Sequence, residues 1–187
     1  MNLWLRLLWL FLTAPFRPRL AAPTDVSVLT LRVLPNDLDL SLHMNNGRYL
    51  AVMDLGRLDL LLRSGLGSAV WRNSWTPVAN AAIIRFRREL RALDRFRLET
   101  RVVAWQEQAV LIEQRFVFAG GERDGQVSAR ALFKGALYDR KARRYVAVSE
   151  MMQEIGASIE SPPLPEEFET FLAADRSMRE AGRDANA

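Results

Sequence analysis

Residues 45–64, NNGRYLAVMDLGRLDLLLRS, constrain the fold more than any other segment of this chain. They contain no proline, are rich in helix formers, and begin with two asparagines, Asn45 and Asn46, that are suited to cap a helix. Apolar side chains surround most of the predicted helix, which would be roughly 30 Å long, so we expect it to be buried. Two pairs are spaced to interact along its surface: Asp54 with Arg57, and Asp59 with Arg63. Gly65 and Gly67 predict its end.

Most of the remaining chain has the pattern of β-strands. Residues 26–34, VSVLTLRVL, predict a first strand, and residues 95–104 alternate charged and apolar side chains with the period of a half-buried strand. Further strands are predicted over 81–89, 108–118, 126–138 and 143–148. One strand, a long buried helix and then antiparallel hairpins predict an α+β domain over residues 24–160, in which a sheet wraps around the helix. Residues 161–187 are expected to form a C-terminal helix and a polar tail that frays from Arg176.

The N-terminal segment, residues 1–20, begins with the apolar run MNLWLRLLWLFL. This run is shorter than the ~20 residues that span a bilayer, and it lacks the charged start of a signal peptide. We expect an interfacial helix on the cytoplasmic face of a membrane. The expected lipid contacts are the aromatic anchors Trp4 and Trp9 and the cations Arg17 and Arg19. A terminal helix packed on its own domain or on a partner subunit is an open alternative.

The composition excludes several kinds of active site. The chain has no cysteine and a single histidine, His43, which removes cysteine nucleophiles, disulfides, thiolate zinc sites, iron–sulfur clusters and multi-histidine metal sites. A Ser-His-Asp hydrolase is disfavoured because no G-x-S-x-G motif is present. We therefore expect neither a metal nor a cofactor.

The positive charge indicates anionic partners. The net charge is +4, nearly all cations are arginine, and the most basic stretch is residues 85–101, RFRRELRALDRFRLETR. Nucleic-acid binding is disfavoured because Glu89, Asp94 and Glu99 interrupt this charge and a strand would turn many arginines to solvent. Arginines of this hairpin would also suit the phosphates of coenzyme A.

The densest polar cluster, residues 36–46, NDLDLSLHMNN, lies directly before the buried helix. The backbone N–H groups of the first helical turn have no partner within the helix and point back toward this loop. Together with the helix dipole they favour negative charge, so the loop predicts an anion site. A thioester carbonyl attacked by water would develop its oxyanion in such a site.

The stretch NDLDLSLHMNNGRYLAVMDLGR resembles the D-x-D-x-x-x-H-x-N-N-x-x-Y signature of hotdog-fold thioesterases, including plant acyl-carrier-protein thioesterases. It also resembles membrane-anchored thioesterase-superfamily proteins of animals, which have an apolar N-terminus ahead of the same motif. The resemblance implies a hotdog fold and hydrolysis of a fatty or aromatic acyl thioester of coenzyme A or acyl carrier protein. It also implies a homodimer or tetramer with the site between subunits.

The resemblance assigns roles to individual residues. Asp39 would be the catalytic carboxylate, as general base or nucleophile, and His43 would polarise the carbonyl or orient the carboxylate. The substrate-binding positions that it implies are Ser41, Asn45, Asn46, Gly47 and Tyr49. Ser41 departs from the asparagine of the plant enzymes. Asp37 is expected to tie a turn, and Tyr49 has the alternative interpretation of a core residue.

Two other functions remain open at this point. A hotdog hydratase or dehydratase would act on the acyl chain, and a non-catalytic protein would bind the same acyl thioesters without releasing thiol. The sequence leaves the acyl group and its carrier undetermined.

Overall fold

The computed structural model describes residues 3–21 and 23–184. Within these residues the helices are α1 (Leu3–Thr13), α2 (Asn46–Arg63), α3 (Leu66–Asn73), α4 (Val148–Glu154) and α5 (Glu166–Asp184). The strands are β1 (Ser27–Arg32), β2 (Trp75–Phe86), β3 (Arg95–Gln106), β4 (Ala109–Phe118), β5 (Val127–Asp139) and β6 (Arg144–Tyr145).

All strand pairs of the single described sheet are antiparallel, in the order β1-β3-β4-β5-β2, with β6 beside the end of β5. The long β3, β4 and β5 form consecutive hairpins, as their alternating patterns predict. β2 pairs with β5 along one side only, so it is an edge strand.

Helix α2 lies against the inner face of this sheet, and the contact is close because of Gly56. A Cβ atom at Gly56 would lie only 2.3 Å from the Thr100 hydroxyl and 2.8 Å from a methyl group of Leu98. The helix and the sheet enclose a core that includes Phe96 and Phe116. The predicted arrangement of a sheet around a long helix is therefore observed.

The structure departs from the sequence predictions at four elements: α3, β2, α4 and α5. Gly67 does not end a helix but lies inside α3, where its absent Cβ would lie 3.2 Å from the backbone of Leu62. β2 begins at Trp75, earlier than predicted, and runs through Pro77 because an edge strand tolerates the missing N–H of proline. Helix α4 was not predicted, and α5 continues through Arg176 to Asp184 rather than fraying there.

Helix α1 packs on the same domain through one face. Leu10 is fully buried, and Leu3 and Leu7 pack against the main core. Arg6 donates to the carboxylate of Asp37 at 2.6 Å. The opposite face of the segment is exposed and apolar, and it comprises Trp4, Leu5, Leu8, Trp9, Phe11, Leu12 and Phe16.

One lipid contact predicted for this segment is wrong. Arg17 turns inward and donates to the buried Asp59 at 2.6 Å, while Arg19 remains exposed. Asp59 also accepts from Arg63 at 2.9 Å, so this predicted pair forms in the interior rather than on the helix surface. Among the described residues, no helix combines the length and apolar character needed to cross a membrane.

Candidate functional site

The loop before α2 is folded around the side chain of Asp39. One carboxylate oxygen, Oδ1, accepts from the backbone N–H of Ser41 at 2.9 Å and from that of His43 at 3.4 Å. The Asp39 N–H donates to the carbonyl of His43 at 2.9 Å, which closes the loop. Leu42 at its tip has φ of 60°, a conformation that is unfavourable for a residue with a Cβ. The side chain of Asp39 is exposed, and its Oδ2 has no hydrogen-bond partner among the described residues.

The preceding aspartate, Asp37, is in the opposite environment. It is only 1% exposed, and its carboxylate accepts from Arg6 of α1 and from Arg48 of α2. Oδ2 also accepts from the backbone N–H of Leu34 at 2.9 Å. Asp37 therefore ties the turn, as predicted, and in addition joins the two helices.

The imidazole of His43 pairs with a residue that the sequence analysis did not select. His43 Nε2 lies 3.1 Å from the Oε2 atom of Glu89, which follows β2. Arg91 donates to the same carboxylate through Nε at 2.8 Å, and this hydrogen bond holds the pKa of Glu89 below its usual range. No sequence signal links two positions so far apart, because the contact depends on a single bridge between His43 and Arg91.

The first turn of α2 has an open backbone donor next to the occupied donors of Gly47 and Arg48. Asn45 caps the helix by accepting from the N–H of Gly47 at 2.9 Å. The N–H of Asn46 has no acceptor among the described residues. Ser41, Asn45, Asn46 and Gly47 are all exposed around this helix end, beside the loop of Asp39.

Tyr49 belongs to the core rather than to the exposed surface of the site. It is 2% exposed, and its ring contacts those of Phe86 and Phe116 at centroid distances of 5.0 and 4.8 Å. Its hydroxyl lies 3.4 Å from that of Ser128, and burial raises the pKa of the phenol. Tyr49 therefore has the packing role of its alternative interpretation, and its substrate contact stays a prediction.

An open groove runs along the N-terminal half of α2. Its walls are formed by α2 from Gly47 to Arg57 and by residues 79–82 of the edge strand β2. The groove meets a second, apolar cavity of about 380 Å³ that continues between α2, the sheet and α4. Four residues line both spaces: Asp54, Arg57, Ala79 and Phe133. Asp39 and His43 are not among the residues that line either space.

The ion pair at this junction is more than a surface contact. Arg57 pairs with Asp54, as predicted, and also donates to Gln114 at 2.6 Å. Its guanidinium carbon lies 3.9 Å from the centre of the Phe133 ring. Burial lowers the pKa of Arg57, although its ordinary value is so high that the charge is retained. Asp54 itself is 68% exposed toward the groove.

Comparison with known proteins identifies the family. Residues 33–172 match the family described as the thioesterase-like superfamily. The chain belongs to this superfamily. The match covers the loop of Asp39, α2 and the whole sheet from β2 onward, and it confirms the resemblance to hotdog thioesterases that the motif implies.

The chain is also similar to individual proteins. It is 39% identical over 125 residues to protein THEM6 of Danio rerio and 36% identical over 135 residues to protein THEM6 of Xenopus laevis. These matches cover 67% and 72% of this chain but only 60% and 61% of the relatives, so the chain spans about three fifths of their length.

A solved structure supports the fold assignment. The probable thioesterase YbaW of Escherichia coli superposes with a TM-score of 0.63 at 23% identity, covering 69% of this chain and 96% of that one. The predicted hotdog fold is therefore confirmed.

Proposed function

We propose that this member of the thioesterase-like superfamily hydrolyses acyl thioesters of coenzyme A or acyl carrier protein. The observation that carries the proposal is that the loop before α2 holds an exposed, partly free carboxylate, Asp39, and that the helix begins with an open backbone donor, Asn46. Water attack on a thioester requires two groups: a carboxylate that accepts a proton from water, and an N–H that donates a hydrogen bond to the oxyanion.

In the proposed reaction Asp39 accepts a proton from water while the hydroxyl oxygen bonds to the thioester carbon. The carbonyl oxygen becomes an oxyanion that accepts a hydrogen bond from the Asn46 N–H, with support from the dipole of α2. The carbon–sulfur bond then breaks, the thiolate takes up the proton, and the carboxylic acid is released. His43, held by Glu89 at 3.1 Å, orients the carbonyl beside this centre. A nucleophilic role of Asp39, through an acyl anhydride, is the alternative route to the same products.

Release of thiol tests the proposal directly. Because the chain contains no cysteine, a thiol reagent such as dithionitrobenzoate reports only coenzyme A or pantetheine thiol, with no signal from the protein. Asp39→Asn should reduce turnover by a factor on the order of a hundred to ten thousand. The matched control is Asp124→Asn, because Asp124 also accepts a backbone N–H in an exposed turn, from Gly120 at 2.8 Å.

Three outcomes would contradict the proposed activity or its mechanism. Thiol release by a folded Asp39→Asn protein at the wild-type rate would assign the Asp39 loop a structural role. Binding of non-hydrolysable thioether analogues without thiol release from any acyl thioester would identify a non-catalytic acyl-binding protein. Conversion of enoyl or hydroxyacyl chains with the thioester intact would identify a hydratase or dehydratase.

The edge strand β2 supports a homodimer as the active form. β2 is 12 residues long, is paired on one side only, and exposes Ile83 and Phe86. A long apolar edge strand is a template for pairing with a second copy. Such pairing would place the partner subunit beside the groove.

Light scattering at micromolar concentration should show a dimer or tetramer of the wild-type protein. Ile83→Lys should shift the protein toward monomer, whereas the control Met178→Lys on α5 should not. A monomeric wild-type protein would refute this assembly.

The exposed face of α1 supports peripheral contact with the cytoplasmic face of a membrane. Its two tryptophans suit the lipid–water interface, and its inner face is already occupied by contacts with the core. The protein should float with phosphatidylserine-containing vesicles. The variant Leu5→Gln, Leu8→Gln, Leu12→Gln should lose this binding, whereas Met178→Gln, which replaces an exposed apolar residue on α5, should retain it. Equal flotation of both variants would exclude α1 as the contact.

A further inference from the structure

The cavity beside α2 selects among the acyl groups that the proposed function leaves open. We infer that it binds the chain of a long unbranched aliphatic acyl group, and this inference rests on the proposed function for the position of the thioester.

The dimensions of the cavity favour a chain over a ring. Its residues on α2 extend from Asp54 to Ser64, a distance of about 15 Å at the rise of an α-helix. A polymethylene chain can extend along a space of this length, whose volume is about 380 Å³. An aromatic ring would fill only part of its length.

The chemistry of the walls also favours a chain. Between Arg57 at one end and Ser64 at the other, the cavity is lined by aliphatic and aromatic side chains, including Leu58, Leu61 and Ile112. A hydroxylated aromatic acyl group would bury hydroxyl groups there without polar side chains to receive them, which carries a large penalty. A methylene chain has no such requirement.

The groove leads from this cavity to the start of α2. It begins at Gly47, at the end of α2 that carries the open N–H of Asn46, and it reaches the Asp54–Arg57 pair about 10 Å farther along the helix. An acyl chain whose carbonyl lies at the start of α2 would follow this groove and then enter the cavity past that ion pair. Short acyl chains would end in the groove.

Helix α4 closes the far end of the cavity. The space is lined by Met151 and Met152 of α4 and by Ile155, which caps the helix, and α4 packs on α3, which follows directly after α2. Methionine side chains are flexible and adapt to apolar ligands of different shape. The cavity volume of about 380 Å³ therefore limits the length of chain that can enter.

The test uses S-alkyl pantetheine thioethers of increasing chain length, which contain the arm shared by both carriers and cannot be hydrolysed. In calorimetry, affinity should rise about fourfold for each methylene group and then stop rising once the cavity is full. A benzyl thioether should bind no better than a short alkyl chain. Met152→Trp should move the limiting length down by about two methylene groups. The control Gln153→Trp alters the adjacent, exposed residue of α4 and should leave the limit unchanged.

Affinity that does not depend on chain length, or a limit unchanged in folded Met152→Trp, would overturn the inference. If Met152→Trp does not fold, Ile155→Phe at the same end of the cavity should shorten the limit by about one methylene group, since phenylalanine adds less volume. No shortening would then overturn the inference. Length-dependent binding without thiol release would refute the hydrolase proposal but retain the chain site. Thiol release together with an affinity that does not depend on chain length would support the hydrolase proposal and overturn the chain site.

Discussion

Replacement of Asp37 by asparagine should remove a large part of the stability of the domain while leaving its architecture intact. Asp37 is 1% exposed and its carboxylate accepts from Arg6 and Arg48, whose side chains are 10% and 18% exposed. Breaking a buried ion pair typically costs about 3 to 5 kcal/mol, because the remaining charge loses its partner. Both arginines retain some contact with water, so the lower limit, about 3 kcal/mol, is the expected loss. The amide oxygen of asparagine can still accept from the N–H of Leu34.

Urea unfolding followed by circular dichroism measures this change. A loss of about 3 kcal/mol should lower the urea midpoint by about 1 to 3 M at the slopes typical of small proteins. All variants must be compared at the same protein concentration if the protein dimerises. The control is Asp25→Asn, since the one side-chain contact of Asp25 among the described residues is with a backbone N–H in an exposed turn, that of Ala21. If Asp37→Asn lowers the free energy of unfolding by less than about 1 kcal/mol, and Asp25→Asn by the same amount, the ion pairs of Asp37 with the two arginines do not stabilise the domain.

Two further substitutions test the packing of α2 and the pairing of His43. Gly56→Ala should lower the free energy of unfolding by about 1 to 3 kcal/mol, because a Cβ would lie 2.3 Å from the Thr100 hydroxyl. The control Gly182→Ala, with open space on α5, should be neutral or stabilising. Equal effects of the two substitutions in urea unfolding would contradict the close packing. In wild-type protein the neutral imidazole of the only histidine should carry its proton on Nε2, which faces Glu89, and Glu89→Gln should weaken this preference in ¹⁵N NMR spectra. An unchanged tautomer population in Glu89→Gln would show that the pairing is not maintained in solution.

The parts of the fold that were predictable are those with a strong period. α2 lies at Asn46–Arg63, close to the predicted 45–64, because its length and its apolar content leave few other structures. The helices that were missed, α3 and α4, have 8 and 7 residues. Helices so short gain their stability from tertiary contacts and give little sequence signal of their own.

The site was predictable only where it is local in sequence. The motif selected the loop of Asp39, and the cap by Asn45 follows from the same residues. Glu89 was missed because its contact with His43 is set by the approach of two distant loops. The cavity was missed because a space between a helix and a sheet is a property of packing and has no pattern along the chain.

The two aspartates of the motif illustrate how neighbouring positions acquire different roles. The short 3₁₀ turn Pro35–Asp37 directs Asp37 into the interior, where Arg6 and Arg48 occupy both of its oxygens. A carboxylate held in this way is a poor general base, since its lone pairs are engaged and a proton would have to displace an arginine. Asp39, two residues later, has left the turn and keeps Oδ2 free among the described residues. Asp37→Asn should therefore reduce stability, and Asp39→Asn should reduce turnover. The reverse pattern would mean that the buried Asp37, not the exposed Asp39, is the catalytic carboxylate.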